Sequence, residues 1–261
     1  MTLKPAGISA DTYLAALDGI GDIRVIETTS DGTNRHTSGV IELASPTKFK
    51  DKTKLFGSFV FGFTGTDGNG NRVGYSGLLP MDGSGGITGG LIDINAPGRG
   101  TNGTASSVTG TYDINNGFGF LTFTAGGNTY HFNIYGVNGT TNANNPLTLY
   151  AISTDSVLVN PAVVGTIVYQ DRSVTFDNAG FSAPSVASLT GVDTSGTNTL
   201  VSLSSVTSDG NGHVSVFYDA NNGVRSLPLL RLVLRPTPMP PLRAVRDGTP
   251  STYWAIPKRI P

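Results

Sequence analysis

The stretch Phe59-Val60-Phe61-Gly62-Phe63-Thr64-Gly65-Thr66-Asp67 decides how this chain folds, because aromatic side chains alternate with smaller ones and a turn signal follows. The run returns in weaker form 126 residues later, as Ser185-Val186-Ala187-Ser188-Leu189-Thr190-Gly191-Val192-Asp193. The turn Asp82-Gly83-Ser84-Gly85 likewise returns as Asp209-Gly210-Asn211-Gly212. A period this long predicts a repeated domain rather than the short unit of a solenoid.

A third echo runs in the other direction, since Ser38-Gly39-Val40-Ile41 anticipates Val164-Gly165-Thr166-Ile167. We therefore expect one complete unit, flanked by the end of one copy and the start of another. The predicted divisions are residues 1–45 as terminal strands of a preceding repeat, 46–55 as a basic linker, 56–170 as the complete unit, 176–235 as a partial repeat, and 236–261 as an extended tail rich in Pro and Arg.

The composition favours an all-β fold. The chain has 261 residues with 35 Gly, and only 13% of its residues are charged. Glu occurs only at Glu27 and Glu42, so good helix formers are scarce, whereas Asp, which suits tight turns, is common. Many short strands joined by turns account for this balance.

Charge and cysteine content exclude several functions. The net charge of −1 supplies no field that would draw nucleic acid or an anionic membrane. The absence of Cys excludes disulfides, thiolate nucleophiles and cysteine zinc sites. No apolar run is long enough for a membrane helix, so we expect no membrane insertion. We also expect no signal peptide, because the N-terminus has Lys4 but no apolar segment of the required kind.

The central unit predicts eight antiparallel strands. Asp-Gly and Asn-Gly pairs are strong hairpin signals, because a type I′ turn needs positive φ at both central residues. A meander of this length removes its exposed edges by closing into a barrel. We expect strands at Phe56–Thr66, Arg72–Met81, Ile87–Ile94, Ser106–Ile114, Gly117–Thr124, Thr129–Val137, Leu147–Thr154 and Val163–Tyr169.

Further strands are expected on either side of the barrel. Runs at Thr12–Leu17, Ile23–Thr29 and Gly39–Leu43 match the end of a unit, and residues 176–223 restart one. Pairing of residues 176–235 with 12–43 would build a second, composite barrel or sandwich. The lysines of residues 46–54 indicate a solvated connection. The tail beyond Arg235 is interpreted either as a docking arm anchored by Trp254 or as sequence foreign to the domain.

The strings Gly57-Ser58-Phe59-Val60-Phe61, Asp82–Asn95 and Gly110-Thr111-Tyr112 resemble the tandem repeats of large, uncharacterised secreted proteins from acidobacteria. Ser38-Gly39-Val40 fits the closing element of that repeat. The resemblance covers residues 12 to about 223. It implies an extracellular or cell-surface β module and no particular activity.

A catalytic hypothesis centres on His131, which lies mid-strand beside Asn133 and Tyr135. If that face lines a polar barrel interior, His131 could act as a general base near working pH, supported by Asp93 or Asp113. An outward-facing surface histidine explains the same pattern without catalysis. No metal-ligand pair of histidines and no nucleophile elbow accompanies it.

A calcium hypothesis rests on two turns. Asp67, Asn69 and Asn71 place oxygen ligands on alternate residues, and Asp209 and Asn211 form a similar fragment. A Gly-rich hairpin turn explains both without metal. No cofactor is required by the sequence, and Ca²⁺ is the metal we would test first.

Two functions remain open from sequence. The first is a non-catalytic extracellular barrel module that binds a small molecule, a glycan or a protein, or serves as a spacer. The alternative is a hydrolase of small esters or lactones with its site in a polar barrel interior and His131 as the base, with or without Ca²⁺ to polarise the carbonyl. An eight-stranded barrel can hold one small ligand, which is compatible with both. The sequence does not determine the oligomeric state.

Overall fold

The computed structural model describes residues 2–3, 11–17, 22–28, 38–96, 105–137, 147–170, 184–192, 199–211, 213–221 and 226–234. Within these ranges the regular structure is strand, apart from one 3₁₀ turn at Lys52–Lys54. No helix of the described ranges has the length and hydropathy to cross a bilayer. The all-β class is confirmed, while the predicted tail at 236–261 lies outside the described residues.

The described strands form three antiparallel sheets. The first contains β1 (Thr2–Leu3), β2 (Asp11–Leu17), β3 (Ile23–Glu27) and β4 (Ser38–Ile41). The second contains β5 (Phe56–Thr66), β6 (Arg72–Asp82), β7 (Gly86–Asn95), β8 (Ser106–Asn115), β9 (Phe118–Ala125), β10 (Asn128–Val137), β11 (Thr148–Ser153) and β12 (Ala162–Gln170). The third contains β13 (Ser185–Val192), β14 (Thr199–Ser208), β15 (Val214–Asn221) and β16 (Ser226–Leu234).

The second sheet is a closed barrel, which confirms the predicted eight-stranded architecture. Each strand pairs with its neighbour in sequence, and β12 returns to pair with β5 from Ala162↔Thr66 to Gln170↔Ser58. This seam requires close approach of the two backbones. A Cβ at Gly165 would lie only 1.9 Å from the carbonyl oxygen of Gly62, so only glycine fits there.

The hairpin signals act as expected from their chemistry. Asn116 and Gly117 join β8 to β9 with φ values of 50° and 87°. Gly126 and Gly127 join β9 to β10 with φ values of 56° and 82°. These pairs of positive φ are the backbone conformation that two-residue hairpin turns require.

The barrel interior is a solid apolar core. Phe59, Phe61 and Phe63 of β5 point inward, as do the alternate residues of the other strands, and all three are buried. The aromatic rings pack directly on one another, with the centroids of Phe123 and Phe132 5.4 Å apart. The prediction of a polar interior is therefore wrong, because the inward positions carry mostly large apolar side chains, and these fill the space that the eight strands enclose.

Residues 46–55 cover one end of the barrel, so their description as a solvated connection is only half correct. The lysines are exposed, but Phe49 and Leu55 are fully buried in the core. The ring of Phe49 occupies the space that a side chain at position 136 would need. The hydroxyl of Tyr112 donates to the carbonyl of Leu55 at 2.7 Å and fixes the segment.

The composite second body is not formed within the described residues. β1–β4 pair only among themselves, and β13–β16 do the same, which gives two separate four-stranded sheets. Each strand of the two sheets pairs with its neighbour in sequence, and β4 and β13 stand at the edges of their sheets among the described residues. The expected pairing of 176–235 with 12–43 in one chain is therefore wrong for these strands.

The segment after β4 docks on the barrel wall. Ala44 forms a β-bridge with Val137, and the hydroxyl of Tyr150 donates to the Glu42 carboxylate at 2.7 Å. Burial, followed by this carboxylate, raises the pKa of Tyr150 to about 12. The phenol therefore remains a hydrogen-bond donor throughout the physiological range.

Candidate functional site

His131 lies on the outer wall of the barrel. Its neighbours Tyr130 and Phe132 point inward and are buried, so the alternation of β10 turns His131 outward. Its side chain is 51% exposed. The sequence left the direction of this face open, and the packing of the aromatic core decides it.

The carboxylate that contacts His131 is Asp155. Nδ1 of His131 lies 2.7 Å from Asp155 Oδ1, and the backbone nitrogen of His131 donates to Asp155 Oδ2 at 3.0 Å. The side-chain amide of Asn160 donates to the same Oδ2 at 2.9 Å and to the carbonyl of Thr129 at 2.7 Å. These contacts fasten the loop between β11 and β12 to β10.

The charge on Asp155 is stabilised by its donors. Partial burial raises its pKa, but the hydrogen bonds from Asn160 and His131 outweigh that effect and lower the pKa below its usual value. Asp155 is consequently ionised near neutral pH and can orient the imidazole. This arrangement positions His131 and is compatible with either a structural or a general-base role.

Asp93 and Asp113 are not brought to His131. Asp93 lies on β7, three strands from β10 around the barrel, and Asp113 lies on β8, two strands away. The backbone nitrogen of Ile114 donates to the Asp113 carboxylate at 3.0 Å. Sequence reasoning missed Asp155 because it is 24 residues from His131 and lies in a loop.

The turn at Asp67 is closed by its own aspartate. Oδ1 of Asp67 accepts hydrogen bonds from the backbone nitrogens of Asn69 at 2.9 Å and Asn71 at 2.8 Å. Its Oδ2 accepts a hydrogen bond from the side-chain amide of Asn71 at 2.9 Å. These hydrogen bonds, that of the Asn71 side chain first, lower the pKa of Asp67. The predicted calcium ligands thus lie together, with the carboxylate already satisfied by local donors.

The second predicted metal fragment has the same local geometry in a different sheet. Oδ1 of Asp209 accepts the backbone nitrogen of Asn211 at 2.7 Å, and Oδ2 lies 2.7 Å from His213 Nδ1. The Asn211 backbone donor first, and then the His213 donors, lower the pKa of Asp209. In the described part of the chain no three His, Cys, Asp or Glu side chains are grouped as a metal site.

A cleft of about 360 Å³ lies at the barrel end, between the turn at 67–69 and the loop at 157–161. The tip of that loop, Val157-Leu158-Val159, is exposed, with Leu158 at 88%. The hydrogen bonds of Asp155 and Asn160 hold the base of this loop. The cleft is open on the surface.

The outward side chains of β9 and β10 form a continuous surface, here called the outer strip. Three of its members are large exposed aromatics: Phe118 at 51%, Phe120 at 54% and Tyr135 at 44%. The rings of Phe118 and Tyr135 are in contact, with their centroids 5.2 Å apart and their planes at 51° to each other. The paired members of the outer strip are Tyr135↔Phe118, Asn133↔Phe120, His131↔Thr122 and Thr129↔Thr124.

The outer strip combines apolar rings with hydrogen-bonding groups. Thr122, Thr124, Thr129, Asn133 and the His131 imidazole follow the aromatic rings along the same wall, and the hydroxyls of Thr124 and Thr129 lie 3.0 Å apart. No Asp, Glu, Lys or Arg belongs to it. At about 3.4 Å per residue its length is about 20 Å.

The sequence signal for the outer strip was ambiguous. In Phe118-Gly119-Phe120-Leu121-Thr122-Phe123, apolar residues occur in both phases of the alternation. Only the burial of Leu121 and Phe123 shows that Phe118 and Phe120 point outward.

Comparison of the chain with protein-family models, with curated proteins and with solved structures finds no match.

Proposed function

We propose that this protein is a non-catalytic β-barrel module that binds a neutral polysaccharide along the outer strip. In this proposal the barrel is a rigid carrier within an extracellular or cell-surface protein, as the resemblance to secreted repeats implies. The single observation that carries it is the surface formed by Phe118, Phe120 and Tyr135 beside neutral polar side chains.

The filled interior supports an external site. Fully buried Phe59, Phe63 and Phe132 occupy the space in which other eight-stranded barrels hold a small ligand. A ligand must therefore bind on the wall or at the rim. Contiguous exposed apolar patches often mark binding sites, because leaving apolar surface in water is unfavourable unless a ligand or partner covers it.

The chemistry of the outer strip matches a sugar chain. The apolar faces of pyranose rings stack on aromatic side chains, and their hydroxyls need donors and acceptors such as Asn133 and Thr122. The strip contains no Asp, Glu, Lys or Arg, which favours a neutral chain over an acidic one. A length of about 20 Å accommodates a few consecutive sugar rings.

Retention on polysaccharides tests the proposal. We would measure binding to insoluble cellulose and chitin, and migration in gels containing soluble glucan, xylan or mannan. The wild type should bind at least one of them, and added salt should not release it. The variant Phe120→Ser should bind about tenfold more weakly, since it removes a stacking ring.

Leu91→Ser is the matched control, because Leu91 is 47% exposed on β7, outside the outer strip. It should bind like the wild type. Equal retention of wild type and Phe120→Ser, or no retention on any polysaccharide, would overturn the proposal. In the latter case a protein partner or a spacer role would take its place.

A second candidate function, hydrolysis of a small ester or lactone, is favoured by the contact between His131 and Asp155 alone. In it His131 is the base that activates water and Asp155 orients the ring. Hydrolysis of a chromogenic ester and an acyl lactone, with and without EDTA, tests it. Activity that His131→Ala abolishes would support it, and activity unaffected by His131→Ala would contradict it.

A further inference from the structure

The two flanking sheets correspond to opposite halves of the barrel. In the first sheet Ile23 pairs with Ile41, and in the barrel Leu149 pairs with Ile167. Each residue of the first pair lies 126 positions before its counterpart in the second pair. The hairpin of β3 and β4 thus has the register of β11 and β12. The first sheet corresponds in strand order to the second half of the barrel, β9–β12.

The third sheet has the register of the first half. Phe59 pairs with Leu79 in the barrel, and Ser185 pairs with Val206 in the third sheet, a shift of 126 residues on one strand and 127 on the other. The hairpin of β13 and β14 is therefore equivalent to that of β5 and β6. The four strands of the first sheet and the four strands of the third sheet together correspond to the eight strands of one complete barrel.

Among the described residues, the barrel seam has no counterpart within one chain. In the barrel β12 pairs with β5, but β4 and β13 are the edge strands of their sheets among the described residues. Ser38–Ile41 and Ser185–Val192 contain no Pro and no charged residue. Edge strands of proteins that stay monomeric usually carry such features, which block pairing with another chain.

Gly39 provides an independent observation. It is equivalent to Gly165, where a Cβ would lie 1.9 Å from the Gly62 carbonyl oxygen across the seam. At Gly39 the nearest atom to a Cβ would be Cγ2 of Val25 at 3.9 Å, an ordinary contact. The described residues of the single chain do not require glycine at position 39. If β4 were paired with another strand as β12 is paired with β5, glycine would be required there.

We propose that β4 of one copy of this chain pairs with β13 of a second copy, in the register of the barrel seam. The first sheet of one copy and the third sheet of the other then form a composite eight-stranded barrel. The equivalent pairs are Val40↔Ser188, from Thr166↔Gly62, and Ile41↔Ala187, from Ile167↔Phe61.

Pairing would also bury apolar surface that the single chain exposes. Ile41 is 39% exposed, whereas its equivalent Ile167 is fully buried in the barrel. Leu43, equivalent to Tyr169, is 60% exposed. Reciprocal exchange between two copies gives a closed dimer, and successive exchange gives a longer oligomer, and both contain the same seam.

Disulfide trapping tests the register, because the chain has no native cysteine. A Val40→Cys chain is mixed with a Ser188→Cys chain, so that a heterodisulfide can only join two copies. The heterodisulfide should form in clear excess over a mixture of Val40→Cys with Leu158→Cys, whose cysteine is exposed but outside the seam. Yields equal to that control would overturn the proposal.

A double variant, Val40→Cys with Ser188→Cys in one chain, distinguishes a seam formed within one copy from a seam formed between two copies. Bonding only in monomers of this variant would place the seam inside one chain and contradict the proposal. Light scattering of the wild type should give a mass above 27.1 kDa, and a monomer at every concentration would also overturn it.

Gly39→Ala tests the steric argument. By analogy with Gly165, the added methyl group should clash with the β13 backbone and weaken association about tenfold or more. The fold of the single chain should be unchanged, because the space around Gly39 is open. Gly62→Ala is the control, since nothing lies within 4 Å of its Cβ position, and it should leave the mass unchanged. Unaltered association of Gly39→Ala would contradict the proposal.

Discussion

The imidazole of His131 and the carboxylate of Asp155 lie 2.7 Å apart and join the β11–β12 loop to the barrel wall. The same carboxylate accepts the backbone nitrogen of His131 and the side-chain amide of Asn160. One acidic side chain therefore organises the base of a loop whose tip, Val157-Leu158-Val159, is apolar and exposed.

Asp155→Ala should destabilise the protein by about 1–2 kcal/mol, because it leaves the donors of His131 and Asn160 without their acceptor. Hydrogen exchange should increase in residues 154–161 more than in the barrel strands. The matched control is Asp113→Ala, which removes an exposed carboxylate and should change the free energy of unfolding by less than about 0.5 kcal/mol. Equal effects of the two substitutions would show that Asp155 does not organise the loop.

The contribution of Asp67 should depend on pH. Hydrogen bonds lower its pKa in the folded state below the unfolded value of about 3.9. The stabilisation is therefore fully present above that unfolded pKa and is lost as pH falls through the folded pKa. The difference in melting temperature between wild type and Asp67→Ala should accordingly shrink below about pH 4.

Thermal unfolding of both proteins between pH 2 and pH 6 measures this difference. Leu91→Ser is the control, because it removes no titrating group and its difference from wild type should not change with the state of Asp67. A difference for Asp67→Ala that stays constant over the whole range would contradict the prediction.

Calcium should leave the melting temperature unchanged, because the carboxylates of Asp67 and Asp209 already accept hydrogen bonds within their own turns. Thermal unfolding with added CaCl₂ and with EDTA checks this expectation. A ligand that binds only the folded state raises its stability by mass action. An increase with Ca²⁺ that Asp67→Ala or Asp209→Ala removes would instead establish the calcium hypothesis for these turns.

Gly165→Ala should strongly destabilise the barrel, by about 2 kcal/mol or more, because its Cβ would overlap the backbone of β5. The matched substitution is Gly62→Ala on the facing strand, where the Cβ position is open. It should be neutral or slightly stabilising. Chemical denaturation measures both, and similar losses for the two would mean that the seam is not as tightly packed as described.

The strand positions in the barrel were accessible from sequence, and most of the predicted ends agree with the structure within one or two residues. Turn chemistry explains this accuracy, since pairs such as Asn116-Gly117 favour a backbone conformation that few other pairs adopt. The calcium fragments show the same locality, because the side chain of Asp67 bonds residues two and four positions later.

The candidate site depended on contacts that local patterns do not contain. Phe118 and Phe123 belong to one short run, but one is half exposed and the other fully buried. Asp155 reaches His131 only because the β11–β12 loop folds back onto β10. Phe49 and Leu55 lie in a lysine-rich segment whose composition did not predict burial. They are buried because they pack against the core at one end of the barrel.

The amino-acid sequence alone therefore determined the strands, the turns between them and the closed eight-stranded form, because alternation and positive φ are properties of a few adjacent residues. The tertiary structure decided which face of each strand is inward, which carboxylate meets His131, and which strands stay at an edge. Those outcomes depend on the shared packing of residues far apart in the chain, for which a two-residue period carries no information.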